Sequence, residues 1–397
     1  MTTKKIVTKL VFICIFALLH FVSFAQDRLR ISLITLSPGL ELNEAFGHSA
    51  IRVIDSNAVT DHVYNYGTFD FEDPNFYLKF IKGQLRYYVN IESFNDFIFY
   101  YKQVNRGITE QELNVTAQEK RNIKNILNEN VKEENKYYQY EFFKDNCTTR
   151  LRDIISKNHN PTATLPTVMP STFTYRNAIH QYLDKSNMPW SKLGIDILLG
   201  AKTDAVMTNT EQEFLPDNLM LALDYCTNTK MVANTKILNY WGRPKKVSPV
   251  LFQPLYCSVG LLLLFLCLHY KKIRYGSTQV VSNTMQAIIR NFDIALFFIV
   301  GILGVLLIFM WWGTDHSMTK NNYNLIWASP LFIWYAFSFA KKTNTVKKFS
   351  LYAAIILILL VCFWFFMPQQ LNVALIPIVI LLAWRLLDNS EKFVKKS

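Results

Sequence analysis

Cys147 has the sequence surroundings of a reactive nucleophile. It lies within YYQYEFFKDNCTTRLRDII, residues 137–155, directly after Asp145 and Asn146, which are both favoured helix N-caps. Apolar residues follow from Leu151 at helical spacing, so the sequence predicts Cys147 in the first turn of a helix. Unpaired N–H groups and the positive end of the helix dipole favour a thiolate there and bind an oxyanion. The alternative is that Cys147 is a small core residue.

A histidine and a carboxamide are predicted on two neighbouring strands. The segments FGHSAIRV, residues 46–53, and DHVYNYGTFDF, residues 61–71, alternate as strands do, with residues 55–60 as the turn between them. His48 and Asn65 would then face the helix that carries the thiol. A cysteine nucleophile needs such a base and a group that orients the base.

The order His48, Asn65, Cys147 resembles the circularly permuted papain-like fold of NlpC-type amidases and lecithin:retinol acyltransferase. In that fold the histidine strand precedes the cysteine helix. The motifs FGHSAIRV, YNYGTFDF and DNCTTRLRD are more closely similar to those of the Lnb-type N-terminal periplasmic domain of Bacteroidota. Together with an apolar C-terminal part, the resemblance extends over most of the chain and is to the Lnb-type lipoprotein N-acyltransferases.

This resemblance implies both a fold and an activity. The fold is α+β: a circularly permuted papain-like periplasmic domain, followed by an all-α transmembrane domain with five spans. The activity is a cysteine-dependent acyl transfer, in which a membrane phospholipid is the donor and the lipid-modified N-terminal cysteine of a lipoprotein is the acceptor. Cys147 would be the nucleophile, His48 the base and Asn65 its orienter. Candidate substrate-binding residues are Arg52, Asp145, Asn146, Arg150 and His316.

The N-terminal segment, residues 1–25, has the pattern of a signal peptide. Three lysines precede an apolar run that ends in Ser23-Phe24-Ala25, which is typical of a signal-peptidase site. An uncleaved anchor is the alternative. A catalytic domain is therefore predicted over residues 26–248, in the periplasm of a bacterium, with the transmembrane domain over residues 249–397 in the inner (cytoplasmic) membrane.

The net charge of +12 is unevenly distributed. Residues 26–248 carry 26 basic and 26 acidic side chains, so the excess positive charge lies in residues 1–25 and 249–397, which are mainly apolar. Basic residues beside apolar segments mark membrane topology, and the sequence predicts no nucleic-acid partner.

Apolar segments follow a linker at Trp241–Pro249 and are each close to the length that crosses a bilayer. With residue 249 in the periplasm, the lysine-rich and arginine-rich loops fall in the cytoplasm, as the positive-inside rule requires. The last two segments are alternatively a re-entrant hairpin. The five predicted spans are residues 250–270, 291–312, 324–340, 349–367 and 371–387. The loop 313–324, which contains His316, is predicted to bind a phosphate or help close the active site, or else to be a solvated turn.

Only two of the six cysteines, Cys147 and Cys226, fall in the predicted soluble domain. A structural disulfide between them is an alternative to the catalytic role. No group of cysteines or histidines has metal-ligand spacing, so the sequence predicts neither a metal site nor a cofactor.

Further elements are indicated around these motifs. A strand is predicted over 28–36, helices over 75–81 and 93–104, and a helix from a Thr116–Glu119 capping box to about residue 135. Short helices are predicted over 172–183, 191–199 and 217–225, and an aromatic strand over 138–143.

Two other functions use the same residues. The first is that of a membrane-tethered cysteine peptidase or peptidoglycan amidase, and the second is that of a non-catalytic envelope assembly or chaperone module. Five spans are more than a tethered peptidase or amidase requires. The presence of both His48 and Cys147 disfavours a non-catalytic module that has lost its active site.

Overall fold

A computed structural model describes residues 28–70, 72–240, 246–275, 279–338 and 343–391. The predicted signal peptide, residues 1–25, lies outside the described residues. Part of the predicted linker, residues 241–245, does so too.

The N-terminal domain is built on an antiparallel sheet. In the part of the chain that the structure describes, the sheet has seven strands in the order β6-β4-β3-β2-β1-β5-β7. Strand β1 is central because β2 and β5 pair with its two edges. The strands are β1 (Leu29–Leu36), β2 (His48–Asp55), β3 (Thr60–Thr68), β4 (Arg86–Ser93), β5 (Ile108–Leu113), β6 (Tyr137–Gln139) and β7 (Val232–Asn239).

Eight helices accompany these strands within the described residues. They are α1 (Phe76–Lys82), α2 (Phe94–Gln103), α3 (Ala117–Asn130), α4 (Cys147–Lys157), α5 (Tyr175–Lys185), α6 (Pro189–Leu198), α7 (Asn209–Gln212) and α8 (Pro216–Asp224). The capping box of α3 is present, with Thr116 and Glu119 bonded to each other's main chain. The helix ends at Asn130, so the prediction that it extends to residue 135 was wrong. The predicted aromatic strand is also shorter, since only β6 forms before a turn.

Both faces of the sheet are covered, which positions the two predicted catalytic segments. One face, with Ile31, Leu33, Ile51 and Tyr64, forms a core with α3, α4 and α8. The other face packs against α2 through Phe97. Helix α4 contacts β2 and β3, so the residue at its start lies beside the strands that carry His48 and Asn65.

The C-terminal region is helical. Its helices are α9 (Pro254–Tyr275), α10 (Gln279–Trp312), α11 (Leu331–Ser338), α12 (Asn344–Cys362) and α13 (Ile376–Glu391). Among the described residues, three segments are long and apolar enough to cross a membrane: Asn283–Trp312, Asn344–Cys362 and Val373–Ser390. The apolar part of α9, Pro254–Tyr270, is shorter. A single helix over the predicted span 324–340 is not formed. A 3-10 turn precedes Pro330, and α11 starts after it because proline disfavours helical backbone in the residue before it.

Helix α6 joins the two parts of the protein. Its last carbonyl groups have no partner within the helix, as at any helix end. Carboxamide side chains of the C-terminal region bind them: Asn322 donates to Ile197 O at 2.7 Å, Asn324 to Asp196 O at 3.0 Å and Gln369 to Leu199 O at 2.9 Å. The same helix packs apolar side chains against the core of the C-terminal helices. The N-terminal domain is thus fixed to the membrane region through buried hydrogen bonds.

Glu213 is a buried carboxyl group beside this domain's core. Its side chain is fully buried, and neither carboxylate oxygen has a hydrogen-bond partner in the described structure. Burial raises the pKa of Glu213 to about 8. The folded protein therefore keeps a proton on this group at neutral pH.

Glu213→Gln is expected to make folding less sensitive to pH. Between the unfolded pKa of about 4.3 and the folded pKa of about 8, only the unfolded chain releases the proton, so rising pH destabilises the wild type. The loss is at most about 1.4 kcal/mol per pH unit. The melting temperature of the variant relative to wild type should therefore rise from pH 5 to pH 8.

Glu211→Gln is the matched control, because its pKa is lowered. Burial opposes that shift, but the hydrogen bonds of Thr208 outweigh it. Between pH 5 and pH 8 Glu211 is ionised in both the folded and the unfolded chain, so the melting temperature of this variant relative to wild type should stay constant over that range. An equal pH dependence of wild type and Glu213→Gln would contradict the assignment of a protonated Glu213.

Candidate active site

Asn146 fixes the start of the helix that carries Cys147. Its backbone is extended, and its Oδ1 accepts hydrogen bonds from the N–H groups of Thr148 at 2.8 Å and Thr149 at 2.9 Å. Its Nδ2 donates to two main-chain carbonyls, at 2.8 and 2.9 Å. The predicted N-cap and the predicted position of Cys147 are confirmed. The oxygen and the nitrogen of the Asn146 carboxamide therefore both have two hydrogen-bond partners within the protein.

The thiol of Cys147 meets the sheet where β2 begins. The N–H of Ser49 lowers the pKa of the thiol, and the Thr148 hydroxyl lies 3.7 Å from Sγ. On the β3 side, Gly67 has φ +92° at a register shift between β3 and β4. A Cβ at Gly67 would lie 3.7 Å from the Cys147 Cβ. The positive φ favours glycine at this point, where the strand passes beside the cysteine.

His48, Asn65 and Glu92 form a chain of hydrogen bonds. His48 Nε2 lies 2.6 Å from Asn65 Oδ1, and Asn65 Nδ2 donates to Glu92 Oε1 at 3.3 Å. A carboxylate only accepts, so Glu92 sets the orientation of the carboxamide and directs its oxygen toward His48. The proton of neutral His48 is therefore on Nε2. Nδ1 is left as the acceptor on the ring, and the nearby Cys147 thiol raises the pKa of His48.

The electrostatics of this pair favour a thiolate with an imidazolium. Burial alone would raise the pKa of Cys147, but the charge and hydrogen bond of His48, with the N–H of Ser49, lower it to about 7. Burial likewise lowers the pKa of His48, but the charge and hydrogen bond of Cys147 outweigh it, and the pKa is raised. Each group therefore stabilises the charged form of the other.

Two groups remain to bind an oxyanion near the thiol. The N–H groups of Thr148 and Thr149 are taken by Asn146, but the N–H of Cys147 has no acceptor among the described residues. The Tyr140 ring borders the same space, since a Cβ at Gly67 would lie 3.9 Å from it. Burial first, and then the charge of Cys147, raise the pKa of Tyr140, so its hydroxyl keeps its proton and can donate.

Three of the predicted substrate-binding residues are engaged in ion pairs. Arg52 is buried and bonds Asp61 at 2.6 and 2.8 Å and Glu110 at 3.0 Å. Arg150 bonds both carboxylate oxygens of Asp145, at 2.6 and 2.8 Å. Arg52, Asp145 and Arg150 therefore form structural ion pairs within the protein.

The loop 313–324 docks on the N-terminal domain. His316 Nε2 lies 3.1 Å from Ile81 O, and the N–H of Asp315 donates to Lys82 O at 2.8 Å. Both carbonyls belong to the end of α1. The loop therefore caps α1 as well as α6. His316 lies at the junction of the two parts and is not a member of the hydrogen-bond chain of His48, Asn65 and Glu92.

Arg106 and Glu92 are site residues that sequence reasoning missed. Arg106 is 3% exposed, its Nε donates to Ser37 O, and one terminal nitrogen has no acceptor in the described structure. Its positive charge opposes protonation of His48. Both residues lie far in sequence from the motifs around His48 and Cys147. Only the strand register brings Glu92 next to Asn65.

Cys147 and Cys226 are both free in the structure, so the alternative disulfide is not formed. Cys226 Sγ lies 3.4 Å from Thr164 O. Within the described ranges, no group of three or more histidine, cysteine or carboxylate side chains is placed to hold a metal ion.

Two family profiles match the chain. Residues 20–181 match the Lnb N-terminal periplasmic domain, and residues 246–397 match the Lnb transmembrane domain. No curated protein and no solved structure matches the chain in the same comparisons. The first match spans His48, Asn65 and Cys147, and the second spans all five C-terminal helices. The chain is therefore a membrane protein with a periplasmic N-terminal domain, and it belongs to the Lnb-type proteins.

Proposed function

We propose that this protein is a lipoprotein N-acyltransferase. It moves a fatty acyl chain from a membrane phospholipid, through a thioester on Cys147, to the N-terminal amine of a lipid-modified cysteine. The observation that carries the proposal is the pairing of the helix-start thiol with His48, whose other ring nitrogen is held by Asn65. Lnb-type domains at both ends of the chain suggest a role related to lipoprotein N-acylation.

The first step forms the acyl-enzyme. The Cys147 thiolate attacks the carbonyl carbon of a phospholipid ester, and the electron pair of the C=O bond moves to oxygen. The N–H of Cys147 and the hydroxyl of Tyr140 donate to that oxyanion. As the tetrahedral intermediate collapses, the C–O bond breaks, and the proton on His48 Nδ1 passes to the leaving lysophospholipid oxygen. A thioester on Cys147 remains.

The second step transfers the chain to the lipoprotein. The neutral N-terminal amine attacks the thioester carbonyl while His48 Nδ1 takes a proton from the attacking nitrogen. The C–N bond forms, the C–S bond breaks, and the sulfur leaves as the thiolate. An amide and the original thiolate–imidazolium pair result. Amines attack thioesters readily, so exclusion of competing water matters more than further activation.

The arrangement of the two parts supports a lipid substrate. Helix α1, which the loop 313–324 caps, exposes Tyr77, Leu78, Phe80 and Ile81 by 45 to 76%. That loop directly follows the apolar helix α10, so these side chains lie where the bilayer surface would be. In this proposal the five C-terminal helices all cross the inner membrane. Residues 26–248 form a circularly permuted papain-like catalytic domain on its periplasmic side.

The cysteine peptidase or amidase alternative would need only a tether. The junction is more than a tether, because buried carboxamides of the C-terminal region bind the end of α6. A rigid junction holds the thiol at one height above the bilayer, which suits a substrate whose reacting groups lie at the membrane surface.

Mass spectrometry of lipoprotein N-termini tests the proposal. Cells that contain the protein should carry lipoproteins with an N-acyl chain on the lipid-modified cysteine. Deletion of the protein in a strain with no second enzyme of this kind should leave a free amine, and the wild-type protein should restore the chain. Unchanged N-acylation after deletion would contradict the proposal.

A further inference from the structure

An apolar cavity of about 270 Å³ lies at the junction of the two parts of the protein. Ile179 of α5, Ile195 of α6 and Leu199, which directly follows α6, form part of its wall. It also borders two loops of the N-terminal domain and the turn that follows α10. The loop residues in the lining are Leu42, Phe46, Glu141, Phe142, Phe143, His316, Ser317, Met318 and Thr319.

Two walls of the cavity come from the chain segments that precede His48 and Cys147. Phe46 is two residues before His48, and Phe143 is four residues before Cys147. The rings of Phe46 and Phe142 meet edge to face with centroids 4.9 Å apart, so the two walls contact each other. The main chain carbonyl of Phe142 accepts a hydrogen bond from Asn146, the residue that caps the cysteine helix.

The third wall comes from the membrane region. Ser317 donates to Glu141 Oε1 at 2.8 Å, and the N–H of Gly200 donates to Met318 O at 2.9 Å. Residues 316–319 follow the stacked pair Trp311–Trp312 at the end of α10. Tryptophans at the end of a spanning helix mark the bilayer interface, so the cavity lies near the height of that interface.

We propose that this cavity holds the acyl chain that the donor phospholipid delivers to Cys147. The assignment rests on the proposed function and adds the place where the chain is held. The apolar side chains that dominate its lining favour an apolar ligand over water. Each methylene that enters the cavity leaves water, so the cavity selects donors by chain length.

The polar atoms of the lining argue against a lipid headgroup. The carboxylate of Glu141 would repel a phosphate, and it already accepts a hydrogen bond from Ser317. The Thr319 hydroxyl is held by main-chain acceptors, with Met310 O of α10 at 2.7 Å and His316 O at 2.9 Å from its oxygen. Among the residues that the structure describes, no arginine or lysine lines the cavity. The lining therefore fits an alkyl chain and not the phosphate predicted for this loop.

The test uses the full chain in phospholipid nanodiscs. The probe is a phospholipid whose hexadecanoyl chain ends in a diazirine, and the filling variant is Ile195→Trp. Ile237→Trp is the matched control, because Ile237 is 65% exposed on the edge strand β7, outside the cavity. After illumination, peptides that contain Phe142 or Met318 should be labelled in wild type and in the control, and at least tenfold less in Ile195→Trp.

A second readout compares donor chain lengths on the same proteins. Ile195→Trp should form the Cys147 thioester at least tenfold more slowly from hexadecanoyl donors, and within about threefold of wild type from octanoyl donors. Melting temperatures establish that each variant is folded.

The outcomes separate the cavity from the proposed function. Equal labelling of cavity peptides in Ile195→Trp and the control, or an unchanged chain-length ratio, would overturn the cavity assignment while leaving thioester chemistry in place. The cavity assignment would also be overturned if the cavity peptides were labelled by a diazirine on the lipoprotein's acyl chains and not by the one on the phospholipid. Cavity labelling without any thioester in wild type would support an acyl-chain site and contradict the transferase mechanism.

Discussion

Cys147→Ala is expected to abolish N-acylation of a lipoprotein acceptor by the purified protein. The thiolate is the only group of the protein that forms a bond to the acyl carbon in this mechanism, so removal of the sulfur leaves no acyl-enzyme. Losses of about 10⁴ to 10⁶ in kcat are typical for nucleophiles that act as part of such a unit. The readout is the initial rate of N-acylation of a diacylglyceryl-cysteine peptide in phospholipid nanodiscs.

The fold should survive this substitution. Cys147 lies at the first position of α4, where Asn146 caps the helix through main-chain N–H groups that alanine retains. Cys226→Ala is the matched control, because Cys226 is the other free cysteine of the N-terminal domain. It should retain wild-type rates. Wild-type activity in a folded Cys147→Ala variant would contradict every catalytic interpretation of the site.

His48→Ala is expected to have the second-largest effect, through both the base and the thiolate. Loss of the base costs about 10² to 10⁴ in rate. Burial raises the pKa of Cys147, and His48 provides the largest effect that lowers it. Without His48 this pKa should therefore rise from about 7 to above that of an ordinary thiol. The rate of Cys147 alkylation by iodoacetamide should show a midpoint near pH 7 in wild type and at clearly higher pH in the variant.

Substitutions along the hydrogen-bond chain should have graded effects. Asn65→Ala removes only the orientation of His48, so its rate should lie between those of wild type and His48→Ala. Glu92→Gln should cost less again, because glutamine can still accept from Asn65. His62→Ala is the control for a neighbouring histidine on β3, and its rate should match wild type. Normal thioester formation in His48→Ala, with loss in His62→Ala, would make His62 the base instead.

The parts of the site that depend on local sequence were predictable. An asparagine before a helical apolar pattern caps its own helix, so the position of Cys147 was determined within a few residues. The alternation in β2 and β3 likewise placed His48 and Asn65 on paired strands. These contacts need only periodicity and short-range hydrogen bonds.

The contacts that cross the chain were not predictable from pattern. Strand β7 exposes most of its residues along the sheet edge, so it shows no alternation, and its strand conformation comes from pairing with β5. Helix α3 ends early because the chain after it must pair as β6 with β4, although no glycine or proline marks the stop. The caps of α6 come from Asn322, Asn324 and Gln369, more than a hundred residues later in the chain.

The most direct test of the central claim is the intact mass of the full-length protein after incubation with phospholipid alone. The account predicts one added acyl chain, located on Cys147, sensitive to neutral hydroxylamine and absent in Cys147→Ala. Addition of a diacylglyceryl-cysteine peptide should then remove that mass and place the same chain on the peptide's amine. A persistent absence of the adduct in wild type, while the peptide is still N-acylated, would contradict transfer through a Cys147 thioester.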